Sequence, residues 1–356
     1  MEIASCYAKG LVNLSNSKTP AERVSAVDCL EELHSACQSR QDIAVHYAQG
    51  LFNLSCKREP EELSLVVARF EKLYSAHQER QDIAIYYAKS LSNLSYDQTR
   101  EESKDTVARI NKLYVEHHDC QDITAEYARN LCNLSISQPL TECKATVDRL
   151  KEIYSANKNQ NEVADCYAVS MSALSLLQNR TACAETVTAL KELYKSHHDM
   201  PFVGNAYARS LAKLLALYDE EHPSTRSDEF KNTIRELENL CYHADIWDGF
   251  PDEYASRLVN LALCQSDLVS VQKTLSLSRE ILNSNPDEPS IQLAHAMTWF
   301  NLTLVQKSEE IPSTLSGITS FLRSHSDIIP KFKEELDEYL AKHPDHTERY
   351  QVLQEL

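Results

Sequence analysis

The phrase Tyr-Ala-x-x-Leu-x-Asn-Leu-Ser occurs at Tyr7–Ser15, Tyr47–Ser55, Tyr87–Ser95 and Tyr127–Ser135, at a step of 40 residues with no insertion. A weaker copy starts at Tyr167 and a worn one at Tyr207. A fixed period of this length is the mark of a repeat array, in which each unit is too small to bury its own apolar face and does so against its neighbours. This constraint overrides the two or three separate domains that length alone suggests.

Slots 1–40 are counted from residue 1. Apolar or small residues fill slots 3, 4, 7, 8, 11 and 14, a spacing that places them on one face of an α-helix. Slot 3 is Ile3, Ile43, Ile83, Ile123, Val163 and Val203, and slot 8 is alanine in all six copies, which lets a second helix approach closely. Slots 16–20 break this helix A. Thr19-Pro20-x-Glu22 and Thr99-x-x-Glu102 predict N-caps with a capping-box glutamate. Helix B follows, with apolar slots 27, 30 and 33 and an aromatic slot 34 (His34, then Tyr74, Tyr114, Tyr154 and Tyr194). Each repeat therefore reads as one antiparallel helical hairpin. Residues 1–200 hold five regular repeats, and 201–327 hold three diverged ones, the first lengthened around Glu220–Thr225. Residues 328–356 read as a charged helix that caps the stack. The expected fold is an all-α solenoid of about eight helix pairs plus that capping helix. Met1 falls on slot 1, so the first helix A starts uncapped, which points either to a partner at that end or to a longer array.

The net charge is −17, made of −6 over residues 1–200 and −11 over 201–356. An acidic body lacks the cationic stripe a nucleic acid needs. It fits a soluble protein, or one with a basic or neutral protein partner. The eleven cysteines are scattered and contain no C-x-x-C, which suits unpaired thiols in a reducing, cytoplasmic setting. The first residues lack a signal-like apolar run, and no apolar stretch is long enough to predict a membrane span.

The pattern resembles the tetratricopeptide repeat over roughly residues 1–300. That family places a large apolar residue, a Leu, a small residue and a Tyr at helix positions 4, 7, 8 and 11. Here those positions hold Ala, Tyr, Ala and Leu, so the small slot 8 matches and the large ones are permuted. Slot 30 (Leu30, Phe70, Ile110) fits the family's aromatic position in helix B, and slot 33 carries Leu or Ile where the family has Ala. The period is 40 rather than the family's 34, and the six extra residues fit between the helices. HEAT- or armadillo-type hairpins are the alternative. The resemblance implies a right-handed superhelix whose helix A residues line a concave, peptide-holding groove. In the family, Lys/Asn pairs on that stripe clamp a peptide carboxylate, though usually a turn earlier than slots 9 and 13.

At about 100° per residue, slots 2, 6, 9 and 13 share a stripe away from the core slots. Slot 13 carries Asn13, Asn53, Asn93 and Asn133, and slot 9 carries Lys9, Lys89, Arg129 and Arg209. An amide can pair with both groups of a peptide unit, and the interleaved cations favour acidic residues or a carboxyl terminus. The other reading is structural: slot 13 lies in the last turn of helix A, where Asn and Ser15 fasten the loop. The row stops at Ala173 and Lys213. Histidines at slots 37 and 38 (His77, His117, His118, His197, His198) are expected to stabilise helix C-termini rather than bind metal. Trp247–Asp252 reads as a packed loop or a partner contact.

No nucleophile elbow, phosphate loop, metal pair or dinucleotide fingerprint is present, so no enzyme activity, cofactor or metal is expected. Two functions remain: a scaffold that holds an extended protein or peptide segment along helix A of repeats 1–4, or an adaptor that controls an effector enzyme, alone or in a larger complex, through the acidic C-terminal half. Neither requires a nucleic acid or a membrane.

Overall fold

A computed structural model describes residues 2–17, 19–56, 60–95, 98–221, 228–242 and 251–356, which contain eighteen α-helices and no strand. Residues 222–227, within the insertion of the sixth repeat, and 243–250, which include Trp247, lie outside the described residues. The chain divides into two compact units, Met1–Leu174 and Ser175–Leu356.

In the first unit the helix A elements are α1 (Glu2–Leu14), α3 (Gln41–Ser55), α5 (Gln81–Ser95), α7 (Gln121–Ile136) and the start of α9 (Asn161–Leu177). The helix B elements are α2 (Pro20–Ala36), α4 (Pro60–Ala76), α6 (Arg100–Glu116) and α8 (Leu140–Ala156). Helices α1, α3, α5 and α7 pack side by side, and α2, α4 and α6 each lie against the helix A before and after them. This row explains the slot pattern. Ala8, Ala48, Ala88, Ala128 and Ala168 are fully buried, as are Ile43, Ile83, Ile123 and Val163. Burying each large aliphatic side chain is worth about 1.5–3 kcal/mol, and the small slot 8 sets how closely the helices approach.

The recurring tyrosine has a specific neighbour. Slot 34 of one repeat stacks or tilts against slot 7 of the next: His34 on Tyr47 at 5.7 Å, Tyr74 on Tyr87 at 6.0 Å, Tyr114 on Tyr127 at 5.0 Å and Tyr154 on Tyr167 at 5.5 Å between centroids. Aromatic pairs at such spacing add to plain area burial, so this seam runs through the unit as a second register mark.

The second unit continues with α10 (Arg180–Ser196), α11 (Pro201–Glu221), α12 (Asp228–Tyr242), α13 (Pro251–Cys264), α14 (Leu268–Ser284), α15 (Pro289–Leu302) and α16 (Ile311–Ser324). Tyr194 meets Tyr207 at 5.8 Å, so the 34-to-7 contact recurs there. The C-terminal segment is not the single helix expected. It forms α17 (Ile329–Lys342) and α18 (Thr347–Gln354), separated by a 3-10 turn at Pro344–His346. Proline lacks the N–H that a continuing helix needs. Both helices close on a buried cluster that includes Phe300, Ile318, Phe332, Leu336, Tyr350 and Leu353.

The two expected caps differ. At Thr99 the capping box is complete, with the Thr99 amide donating to Glu102 Oε2 at 2.8 Å. At Thr19 the helix begins with Pro20 as expected, but the box does not form: the Thr19 amide donates to Ser17 Oγ at 3.2 Å, and Glu22 accepts from the Ser17 hydroxyl. No described helix is long and apolar enough to cross a membrane, and all eleven cysteines are free.

Candidate functional site on the helix A face

The asparagine row is joined to the serine of the same phrase, one repeat earlier. Asn53 Nδ2 donates to Ser15 Oγ at 2.8 Å, Asn93 Nδ2 to Ser55 Oγ at 3.1 Å and Asn133 Nδ2 to Ser95 Oγ at 3.2 Å. Each serine meanwhile donates to the carbonyl three residues back: Ser15 to Val12 at 2.6 Å, Ser55 to Phe52 at 2.7 Å and Ser95 to Ser92 at 2.9 Å. The hydroxyl thus satisfies a carbonyl at the end of helix A while accepting from the next repeat. Asn and Ser are two halves of one fastener between repeats. A slot 10 serine adds to the fastener in repeat 3, where Ser90 Oγ donates to Ser55 Oγ at 3.2 Å, and the same contact remains where slot 13 becomes Ala173, with Ser135 Oγ donating to Ser170 Oγ at 3.0 Å. Asn13 is exposed on α1.

Fastening uses only the donor end of each amide. Among the described residues, Oδ1 of Asn53, Asn93 and Asn133 has no hydrogen-bond partner, and these side chains are half-buried. Two of the four slot 9 cations are engaged. Lys89 Nζ pairs with Asp122 Oδ1 at 3.0 Å, and Arg129 Nη1 with Glu126 Oε2 at 3.0 Å. Lys9 is exposed on α1, and Arg209 is exposed on α11 in the second unit.

Side-by-side packing also brings together residues that a single helix wheel keeps apart. Gln49 Nε2 donates to Tyr86 OH at 3.0 Å across α3 and α5, His46 Nδ1 and Gln49 Oε1 lie 3.2 Å apart, and Phe52 tilts against Tyr86 at 5.7 Å. Further along, the Cys132 and Cys166 thiols share a hydrogen bond that lowers the pKa of Cys132 and, with burial, raises that of Cys166. Beside them Asp165 keeps a buried oxygen without a partner, and burial, with the charge of Glu162, pushes its carboxyl up to about 7.

The slot 37 histidines do stand at helix ends, since His117 and His197 are C-cap residues. They also bridge repeats. His34 Nε2 and His77 Nε2 lie 3.1 Å apart, and Tyr74 OH lies 2.9 Å from His117 Nε2. The two imidazole centroids are 5.4 Å apart, so the nitrogens face each other nearly on the line joining the rings. A zinc ion in that line would need about 2.0–2.1 Å to each nitrogen, more than the gap allows. The contact is a hydrogen bond, and no group of three or more metal-ligating side chains occurs among the described residues.

No protein-family model matches the chain, and no curated protein matches it.

Proposed function

We propose that the protein is a non-enzymatic scaffold that holds an extended protein or peptide segment along helix A of repeats 1–4. The supporting observation is the ribbon left outside the core by α1, α3, α5 and α7: His46, Gln49 and Asn53, then Tyr86, Lys89 and Asn93, then Arg129 and Asn133, all on adjacent helices. Adjacent helices lie about 8–10 Å apart, and an extended chain rises about 3.3 Å per residue. One amide oxygen per repeat is therefore spaced to meet a bound segment at about every second or third residue and to accept an N–H that faces the helices. Because one Nδ2 hydrogen of Asn53, Asn93 and Asn133 is committed to a serine, the oxygen is the group each asparagine keeps wholly for the segment. With Lys89 and Arg129 already ion-paired, preference for acidic ligands rests mainly on Lys9.

The test is selection from a random peptide library on the full chain, followed by cross-linking of the enriched peptides. Cross-links should map to α3, α5 and α7, and the double variant Gln49→Ala with Lys89→Glu should abolish capture at unchanged helicity. Cross-links confined to helix B faces or to the second unit would reject the reading. Replacing the asparagines is the poorer test, because it also cuts the fastener.

A further inference from the structure

Slots 12 and 6 of successive helix A elements oppose one another. Between α3 and α5, Phe52 at slot 12 tilts against Tyr86 at slot 6 with centroids 5.7 Å apart, beside the contact of Ser55 Oγ with Ser90 Oγ at 3.2 Å. The same serine slots meet between α7 and α9, where Ser135 Oγ lies 3.0 Å from Ser170 Oγ. The opposed slots beside that contact hold Cys132 and Cys166. At the junctions of α1 with α3 and of α5 with α7 these slots hold Val12 and His46, then Ser92 and Glu126. Two thiols are thus set face to face where slot 13 has become Ala173 and the asparagine bond is gone.

The cluster is shaped for thiol chemistry. Cys132 is buried, and Cys166 is half-buried on the helix A face, so a small reagent reaches the pair from that face. The two thiols are hydrogen-bonded to each other, and the Ser170 hydroxyl also bonds to Cys132. Both bonds stabilise the Cys132 thiolate and hold its pKa below the usual thiol value, while Cys166 keeps its proton. One sulfur is therefore the nucleophile and the other stands next to it to resolve the product. Among the described residues no third metal-ligating side chain groups with them.

We propose that Cys132 and Cys166 are an oxidation site for hydroperoxides, closing to a reversible disulfide that ties α7 to α9. The Cys132 thiolate attacks one peroxide oxygen, the O–O bond breaks, and the departing alkoxide or hydroxide takes up a proton. Cys132 is then a sulfenic acid. The Cys166 sulfur attacks the Cys132 sulfur, the S–O bond breaks as the S–S bond forms, and the Cys166 proton leaves with that oxygen as water. Two thiols and one hydroperoxide give one disulfide, one alcohol (water, from hydrogen peroxide) and one water. The sulfurs close from hydrogen-bond contact to about 2.05 Å, and the neighbouring side chains between the two helices, Ser135 and Ser170, are small.

The test treats the full chain with hydrogen peroxide, alkylates the remaining thiols and maps the peptides by mass spectrometry. A cross-linked pair joining Cys132 to Cys166 should appear, about 2 Da lighter than the two reduced peptides together, and dithiothreitol should remove it. In Cys166→Ser, Cys132 should stop at a sulfenic acid that dimedone labels. The inference is overturned if both thiols of the wild-type chain stay open to alkylation while the exposed Cys6 and Cys56 are oxidised. It is also overturned if either thiol pairs with another cysteine, or if wild-type Cys132 stops at the dimedone-reactive stage. Those three readouts use the wild-type chain, so they stand whether or not the variant folds. Absence of label in a Cys166→Ser chain of wild-type helicity overturns Cys132 as the attacking thiol.

Discussion

Four residues carry testable consequences of their own surroundings. Asp165 has its folded pKa raised to about 7, first by burial and then by Glu162, against an unfolded value near 3.9. Its contribution is fully present below about pH 4 and is lost as pH rises through 7. Asp165→Asn should therefore stabilise the chain above pH 7 and change little at pH 4. Water at the partly exposed carboxyl screens the effect, so the expected gain in denaturant unfolding is about 1–2 kcal/mol. His34 has its pKa lowered by burial and by His77, with Glu31 opposing. Its contribution is present above the unfolded value near 6.5 and is lost as pH falls below it. Slot 34 is tyrosine in the later repeats, and Tyr74 meets His117 where His34 meets His77. His34→Tyr should accordingly reduce the loss of Tm between pH 7 and 5, with wild type as the control. The glycines at slot 10 differ: Gly10→Ala should stabilise α1 by about 0.5–1 kcal/mol, whereas at Gly50 a Cβ displaces Leu30 and that gain should disappear.

At the scale of the helix, periodicity was the legible part. The apolar slots of helix A and helix B, the alanine at slot 8 and the break between the helices each have one dominant cause, burial on a helix face. Sequence reading therefore placed α1 to α10 closely. Caps were half legible, because a cap depends on which of several nearby oxygens wins. Glu102 bonds Thr99, while Glu22 turns to Ser17. Thr99→Ala should cost about 1 kcal/mol in thermal or denaturant unfolding, and Thr19→Ala distinctly less. The C-terminal segment is charged along its length and reads as one helix, while Pro344 divides it. The candidate site was legible only as a stripe. A helix wheel gives the face on which Asn53 and Lys89 lie, but not the neighbouring helix. The asparagine-to-serine bonds, the Gln49–Tyr86 contact and the Lys89–Asp122 pair all cross between repeats, so no reading confined to one repeat could distinguish fastening from binding.

For the molecule as a whole, what matters is how one repeat is joined to the next. Apolar burial makes the hairpins stack, but it is non-directional and does not by itself fix their register. Directional contacts do that: the 34-to-7 aromatic pair from His34–Tyr47 to Tyr194–Tyr207, and the slot 13 to slot 15 hydrogen bond at the first three junctions. The recurring phrase is therefore a junction motif before it is a ligand motif, with Tyr meeting the preceding repeat's slot 34 and Asn meeting its Ser. Binding, in the function proposed above, uses what the junction leaves over, namely the amide oxygens and the slot 6 and slot 9 side chains. The most direct test is a double-mutant cycle on Asn53 and Ser15, with Asn53→Ala, Ser15→Ala and the double variant compared by equilibrium unfolding of the full chain. A fastener predicts a coupling energy of about 0.5–1.5 kcal/mol, the net worth of a hydrogen bond. Additive effects of the two substitutions would contradict it, and the asparagine row would then have no role at the junction.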